Sequence, residues 1–309
     1  MPHRKSAAVG LAAVACVAVA ACSSSGSGKS GSSSNPLAPS TSSSVVVGSA
    51  NFPEDELLAQ IYADALQGAG VKVTTKLNIG AREVYYPEVT KGAISIIPEY
   101  NGALLSTSVD TKSTATSTAE VNAALKAKLP STVEILNSAP AQDKDSITVT
   151  QATAAKYHLK SISDLSPVAK NFVIGGPSEF KTRKDGIVGL KDVYGLTFKS
   201  FSPLDESGPI TISALKSGKV QAADVFTTTP QIVTDKFVSL ADPKNMFAAQ
   251  NVTPLVYKKA ASAKVVSTLN AVSAKLTTEA LLQMNKALTI DHASYTQVAS
   301  GFISQEGLK

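Results

Sequence analysis

Cys22 is the residue whose position most directly suggests a chemical modification. It follows a basic start and an apolar run of about 15 residues that ends in small side chains, and a Ser/Gly-rich stretch comes after it. This order is typical of a secretory signal, and a cysteine at the first mature position can take a diacylglycerol on its thiol. The run is shorter than the ~20 residues of a membrane span. We therefore predict a lipoprotein signal at 1–21, lipidation of Cys22, a tether at 22–43 and a location on the extracytoplasmic face of a cell membrane.

Isolated aromatic and basic side chains elsewhere could bind a charged solute. Tyr100 and Phe226 each follow an apolar run that reads as a strand, and Arg183 lies in a Gly/Asp-rich turn. Aromatic faces attract cations, and the guanidinium fork suits carboxylates. Core packing of the rings and a surface ion pair for the arginine are the plain alternatives. Tyr85 and Tyr86 are adjacent on a predicted helix, so only one of them can face a shared site.

The sequence lacks the usual signatures of catalysis. No cysteine follows Cys22, which excludes disulfides, cysteine metal sites and thiol catalysis in the folded part. His158 and His292 are far apart and show no metal-ligand spacing, and neither a nucleophile elbow nor a phosphate-binding glycine loop occurs. Removing the two basic residues of the signal lowers the formal charge from +5 to +3, which does not indicate nucleic-acid binding. These features favour a binding protein without metal or cofactor over an enzyme.

Apolar, β-branched runs alternate with amphipathic segments along the rest of the chain. This β-α-β-α rhythm over about 265 residues predicts an α/β protein with parallel sheets, covering helices and two lobes. Helices at 264–277 and 279–287 would finish the chain. Ligands of such folds bind beyond the carboxyl ends of strands. The predicted strands are 45–48, 71–79, 94–97, 133–136, 146–150, 172–174, 222–226 and 251–257.

Six short segments in a fixed order carry a family resemblance. They are G-S-A-N-F-P-E at 48–54, P-E-Y-N-G at 98–102, E-F-K-T-R-K-D-G at 179–186, V-F-T-T at 225–228, L-A-D-P-K at 240–244 and K-L-T…M-N at 275–285. With these segments the chain resembles the glycine betaine/choline/carnitine (osmoprotectant) substrate-binding lipoproteins of ABC importers, the ProX-like members of the OpuAC family. The resemblance extends from Val45 to the C-terminus.

The resemblance implies a two-lobed periplasmic binding protein-like fold of type II, a Venus flytrap with hinge strands and an interlobe cleft. The hinge strands would cross near 145–150 and 250–257. Lobe I would then comprise 44–144 plus 250–309, and lobe II would comprise 145–249.

The resemblance also implies an aromatic box for a quaternary ammonium group. The family has tyrosines at the positions of Tyr100, Ile147, Phe226 and Gln250, so this chain keeps two rings and replaces two. The incomplete box should weaken binding of a compact quaternary ammonium by about one to three kcal/mol, and a larger, more polar or partly aromatic ligand would explain the replacements. The other implied site residues are Arg183, Asp145, Asn51 and Phe52. Ala50 and Ala103 replace a lysine and a threonine found in relatives.

The leading hypothesis is thus a lipid-anchored, monomeric component of an ABC importer that captures a small zwitterionic or cationic solute. Its partners would be the solute, the permease with its ATPase, and the membrane through the anchor. An envelope hydrolase with a carboxylate-based site and a surface interaction lipoprotein remain as alternatives.

Overall fold

The computed structural model describes residues 44–308. The predicted signal, Cys22 and the predicted tether lie outside this range. No helix within the described residues is long and apolar enough to cross a membrane. The described part builds two five-stranded sheets, each covered by helices on both faces.

The first sheet forms one lobe. In spatial order its strands are β2 (Val73–Lys76), β1 (Val45–Gly48), β3 (Ile96–Tyr100), β10 (Val252–Tyr257) and β4 (Val133–Ile135). Strands β1, β2 and β3 are parallel, whereas β10 runs antiparallel to both of its neighbours. Ile96 packs on one face of this sheet and Ile97 on the other, as the alternation of side chains along a strand requires.

The second sheet forms the other lobe. In spatial order its strands are β7 (Ser200–Pro203), β6 (Val173–Gly176), β8 (Ala222–Asp224), β5 (Ile147–Thr150) and β9 (Phe237–Ser239). Strand β6 is parallel to β7 and β8, and β5 is antiparallel to β8 and β9. Each lobe has its own apolar core. Because neither core depends on the interface between the lobes, polar side chains can lie at that interface.

Helices connect the strands and cover the sheets. Those before the second sheet are α1 (Pro53–Gly68), α2 (Arg82–Lys91), α3 (Asn101–Leu104) and α4 (Thr118–Lys128). The helices in the segment that forms the second lobe are α5 (Gln151–Tyr157), α6 (Ile187–Tyr194), α7 (Pro209–Lys216) and α8 (Gln231–Thr234). The chain then returns to the first lobe with α9 (Ala263–Lys275), α10 (Thr278–Thr289) and α11 (Tyr295–Gln305).

Two sequence-based expectations are corrected by this topology. The sheets are mixed rather than parallel, because β5 and β10 run antiparallel to their neighbours. Each is the first strand after the chain crosses from the other lobe, so it enters its sheet without a preceding βαβ unit. The helix at 279–287 also does not finish the chain, since α11 follows it and packs against α1.

Candidate functional site

A cleft lies between the two sheets, at the carboxyl ends of β1, β3 and β8, where ligands of open α/β sheets bind. Its empty volume is about 460 Å³, part of which is open to solvent. Aromatic, acidic and basic side chains from both lobes contribute to it. The lining residues are Ala50, Phe52, Arg82, Tyr85, Tyr100, Ala103, Asp143, Asp145, Arg183, Asp185, Glu206, Phe226 and Gln250.

Three aromatic rings meet in this cleft. The ring centroid of Phe52 lies 5.9 Å from that of Tyr100 and 5.3 Å from that of Phe226. The Phe52–Phe226 pair is edge-to-face at 68° and joins the two lobes. Phe52 immediately precedes α1, Tyr100 ends β3 and Phe226 follows β8, so three strand or helix ends hold the rings in place. Such a cluster offers faces to a methylated ammonium group.

Glu54 ties the ring cluster to a buried hydrogen-bond network. Its carboxylate accepts hydrogen bonds from the hydroxyl of Tyr100 at 2.7 Å, from the hydroxyl of Thr228 at 2.6 Å and from the side-chain amide of Asn285. Thr228 lies in the second lobe, so the network bridges the lobes. Burial raises the pKa of Glu54 above its ordinary value, against the lowering effect of these three donors.

Asp143 extends this network along the first crossing between the lobes. Its carboxylate accepts the backbone N–H of Thr228 at 2.9 Å and, more weakly, the hydroxyl of Thr227 at 3.3 Å. Burial, followed by the negative charge of Glu54, raises the pKa of Asp143 well above its ordinary value. The two acids therefore resist being ionised together.

Both arginines of the cleft are already paired. Arg82 is buried and donates from Nε and Nη2 to Glu99 at 2.9–3.1 Å. Arg183 donates from Nε and Nη2 to the two carboxylate oxygens of Glu83 at 3.0 and 2.8 Å, and this ion pair connects the lobes. Tyr85 donates its hydroxyl to Glu99 at 2.8 Å.

The carboxylates on the second-lobe side are less well paired. Asp185 is 4 % exposed, and its oxygen Oδ1 accepts no hydrogen bond from the described residues. The oxygen Oε2 of Glu206 is also buried and accepts none from them. Burial raises the pKa of each of these groups to about 7. For Asp185 the neighbouring charge of Asp145 adds to the effect.

Six of the eight predicted ligand-binding residues line this one cleft: Phe52, Tyr100, Asp145, Arg183, Phe226 and Gln250. Ile147 lies instead in the apolar core of the second lobe, fully buried, and Asn51 is exposed and outside the lining. Of the two adjacent tyrosines, Tyr85 is the one in the lining.

Gln250 finds its partner in Asp145. The backbone N–H of Asp145 donates to Oε1 of Gln250 at 2.7 Å, and Nε2 of Gln250 donates to Oδ2 of Asp145 at 2.6 Å. This reciprocal pair joins the two crossings between the lobes. Both the oxygen and the nitrogen of the amide that replaces a tyrosine ring therefore have a hydrogen-bond partner within the protein.

Sequence reasoning missed four polar lining residues: Arg82, Asp143, Asp185 and Glu206. Asp185 lies inside the segment 179–186 that carried the resemblance, so that motif was an available signal. Asp143 and Glu206 lie in loops without a local pattern, and only folding brings them together. Within residues 44–308, no cluster of three or more His, Cys, Asp or Glu is arranged to hold a metal ion.

The two lobes and the cleft between them define a solute-binding protein of the type that serves ABC importers. The chain belongs to the family described as the substrate binding domain of ABC-type glycine betaine transport systems, whose model matches residues 43–305. It is therefore an extracytoplasmic substrate-binding protein of an ABC importer.

Individual relatives agree with this assignment. The glycine betaine-binding protein YehZ of Escherichia coli (strain K12) is 26 % identical over 279 residues, which cover 86 % of this chain and 92 % of YehZ. The ergothioneine transport permease/ergothioneine binding protein EgtU of Helicobacter pylori (strain G27) is 27 % identical over 165 residues, 53 % of this chain and 30 % of EgtU. A crystal structure of a glycine betaine/carnitine/choline ABC transporter protein has the same fold, with a TM-score of 0.65 at 20 % identity, covering 85 % of this chain and 99 % of the other.

Proposed function

We propose that this protein binds a small solute with a quaternary ammonium group in the cleft and delivers it to an ABC permease. The observation that carries the proposal is the meeting of Phe52, Tyr100 and Phe226 in a cavity that also holds carboxylates. A trimethylammonium group has no N–H, so ring faces and nearby negative charge are what can select it. Each ring contributes about 0.5–2 kcal/mol, depending on desolvation.

Phe52 adds a third ring beside the two that remain in the incomplete aromatic box. The sequence leaves rings only at Tyr100 and Phe226 among the four box positions, but Phe52 contacts both of them. Three neighbouring rings therefore line the same cleft. This supports a quaternary ammonium ligand more strongly than the four box positions alone.

A second candidate ligand is larger and contains a heteroaromatic ring. EgtU, a relative over about half of this chain, is named as an ergothioneine binding protein. The unpartnered oxygens of Asp185 and Glu206 could accept hydrogen bonds from ring N–H groups. Ergothioneine is therefore included among the ligands to be tested.

The remaining parts of the proposal concern placement and assembly. Lipidation at Cys22 would hold the protein on the extracytoplasmic face of the membrane, beside the permease and its ATPase. We propose that it acts as a monomer and binds its solute without turnover. The basis for the anchor is the signal at 1–21 and the cysteine that follows it.

Calorimetric titration of the full chain in mild detergent tests the ligand class. The ligands are glycine betaine, choline, carnitine, proline betaine and ergothioneine. We expect micromolar binding of at least one, weakened about tenfold or more by Phe52→Ala and by Phe226→Ala because each removes one ring face. Tyr295→Ala removes a ring outside the cleft and is the matched control. Absence of binding to all five ligands would refute the proposed ligand class.

A further inference from the structure

The lining of the cleft contains more acidic than basic side chains. Four carboxyl groups line it, from Asp143, Asp145, Asp185 and Glu206, against two guanidinium groups. Both guanidiniums are held by the acids Glu99 and Glu83, and the lining as described contains no lysine. A carboxylate on the ligand would therefore meet no uncommitted basic side chain there.

Ala50 is a second observation of this kind. This buried alanine lines the cleft and offers no side-chain donor. The position therefore adds no group that could hold the anionic end of a zwitterion.

The second-lobe side of the cleft instead offers acceptors. The oxygens Oδ1 of Asp185 and Oε2 of Glu206 are buried without a donor from the described residues, and Oδ2 of Asp185 receives a long hydrogen bond of 3.3 Å from the hydroxyl of Ser106. Buried acceptors without partners are costly, so a ligand that brings a donor and a positive charge relieves that cost.

The surrounding charges reinforce the preference. The groups that act on Asp185 are the acid Asp145 and the guanidiniums of Arg183 and Arg82, and Glu206 is also affected by Glu179. Asp224 is 1 % exposed, and burial, followed by the charges of Asp145 and Asp185, raises its pKa well above the ordinary value. An additional anion would increase the repulsion, whereas a cation would reduce it.

We infer that Asp185 and Glu206 determine specificity, making the cleft prefer a quaternary ammonium cation that carries a hydroxyl or N–H donor over a zwitterion that carries a carboxylate. The inference rests on the proposed function, since it selects one charge class among the quaternary ammonium solutes. Choline represents the cation and glycine betaine the zwitterion, and both carry the same trimethylammonium group.

The test is calorimetric titration of the full chain in mild detergent with these two ligands at pH 8 and at pH 5.5. At pH 8 both acids are mostly ionised, and we expect choline to bind about tenfold or more tightly than glycine betaine. At pH 5.5 both acids are mostly protonated, because their pKa values are about 7. The preference should then shrink to about threefold or less.

Two isosteric variants assign the effect to these side chains. Asp185→Asn and Glu206→Gln should each lower the ratio of choline affinity to glycine betaine affinity about fivefold at pH 8. Asp192→Asn removes the same charge from an exposed position of α6 outside the cleft lining, and it should preserve the ratio.

The outcomes separate the two proposals. Glycine betaine binding as tightly as choline at pH 8, or variants that weaken both ligands alike, would overturn the inference while the proposed function stands. Failure of choline and glycine betaine to bind would overturn the inference, and the proposed function would fall with it only if carnitine, proline betaine and ergothioneine also failed to bind.

Discussion

The ring and the hydroxyl group of Tyr100 make different contacts. The ring belongs to the aromatic cluster with Phe52, and the hydroxyl donates a hydrogen bond to the buried carboxylate of Glu54 at 2.7 Å. Buried tyrosines commonly combine an apolar body with a partner for the O–H in this way. In the proposed binding mode, ligand contact and the hydrogen bond to Glu54 therefore depend on different atoms of one residue.

This division predicts different results for two substitutions at Tyr100. Tyr100→Phe keeps the ring but leaves Glu54 one donor short, so we expect a loss of about 1 kcal/mol in the free energy of unfolding and a dissociation constant within about threefold of the wild type. Tyr100→Ala should lower both stability and affinity, the latter about tenfold. Urea unfolding and calorimetric titration measure the two quantities. If Tyr100→Phe loses affinity as strongly as Tyr100→Ala, the hydroxyl rather than the ring contacts the ligand.

Residues of the site differ in how far the sequence reveals them. Tyr100 and Arg183 lie within short motifs, so their position in the chain points to a site, and the cleft contains both. Ile147 occupies a box position but packs in the core, because its strand β5 turns that side chain inward. Asp143 and Glu206 are brought close to the rings by contacts between distant parts of the chain, and no local sequence pattern predicts them.

At the scale of elements, α3 anchors the first sheet to the returning crossing. The side-chain oxygen of Asn101 accepts the backbone N–H of Asn251 at 2.7 Å and that of Gly102 at 2.8 Å. A Cβ atom on Gly102 would lie 2.3 Å from the carbonyl oxygen of Ala249, which is far inside contact distance. The close approach of two backbones explains the glycine here.

Gly102→Ala should consequently destabilise the protein. The backbone of α3 or of residue 249 must move, and we expect a loss of about 2–3 kcal/mol in the free energy of unfolding. Gly301→Ala is the matched control, because its added Cβ meets nothing within 4 Å on α11. That control should be neutral or stabilising by up to about 1 kcal/mol. Equal denaturation midpoints for the two variants would contradict the role given to Gly102.

The limits of sequence reasoning on elements have a topological cause. Hydrophobic periodicity identifies most strands and helices, but it does not report strand direction, so the antiparallel entry of β5 and β10 was not predicted. The helix α11 did have a local signal, a capping box in which Ser294 and Gln297 satisfy each other's backbone groups. Its first turn lacks the acidic residues that marked α1.

At the scale of the whole molecule, polar contacts hold the lobes together across the cleft. Glu54 meets Thr228, Glu83 meets Arg183, and the two crossings are joined by Gln250 and Asp145. The ion pair of Glu83 is half exposed and so contributes at most about 1 kcal/mol. The pKa values of the buried acids Glu54, Asp143 and Asp185, by contrast, are raised, so we expect their contribution to stability to depend on pH.

The contribution of Asp185 to the stability of the protein should therefore fall as the pH rises. Burial, followed by the charge of Asp145, raises the pKa of Asp185 from an ordinary value of 3.8 to about 7 in the folded chain. The folded state thus holds a proton that the unfolded state releases. The resulting stabilisation is complete below about pH 4 and is lost as the pH rises through 7. Between pH 5 and pH 8, Asp185 alone should remove on the order of 2 kcal/mol from the free energy of unfolding.

Asp185→Asn isolates this contribution, because its neutral amide cannot ionise. The variant and the wild type should have similar stabilities at pH 5, and the variant should be more stable at pH 8 by on the order of 2 kcal/mol. Urea unfolding without ligand at both pH values measures the difference, and Asp192→Asn should follow the wild type, since Asp192 is exposed. Parallel pH dependences for the wild type and Asp185→Asn would show that Asp185 is already ionised in the empty cleft. Binding of a cation would then not be needed to ionise Asp185, and any preference for choline would have to come from direct contact with the ligand.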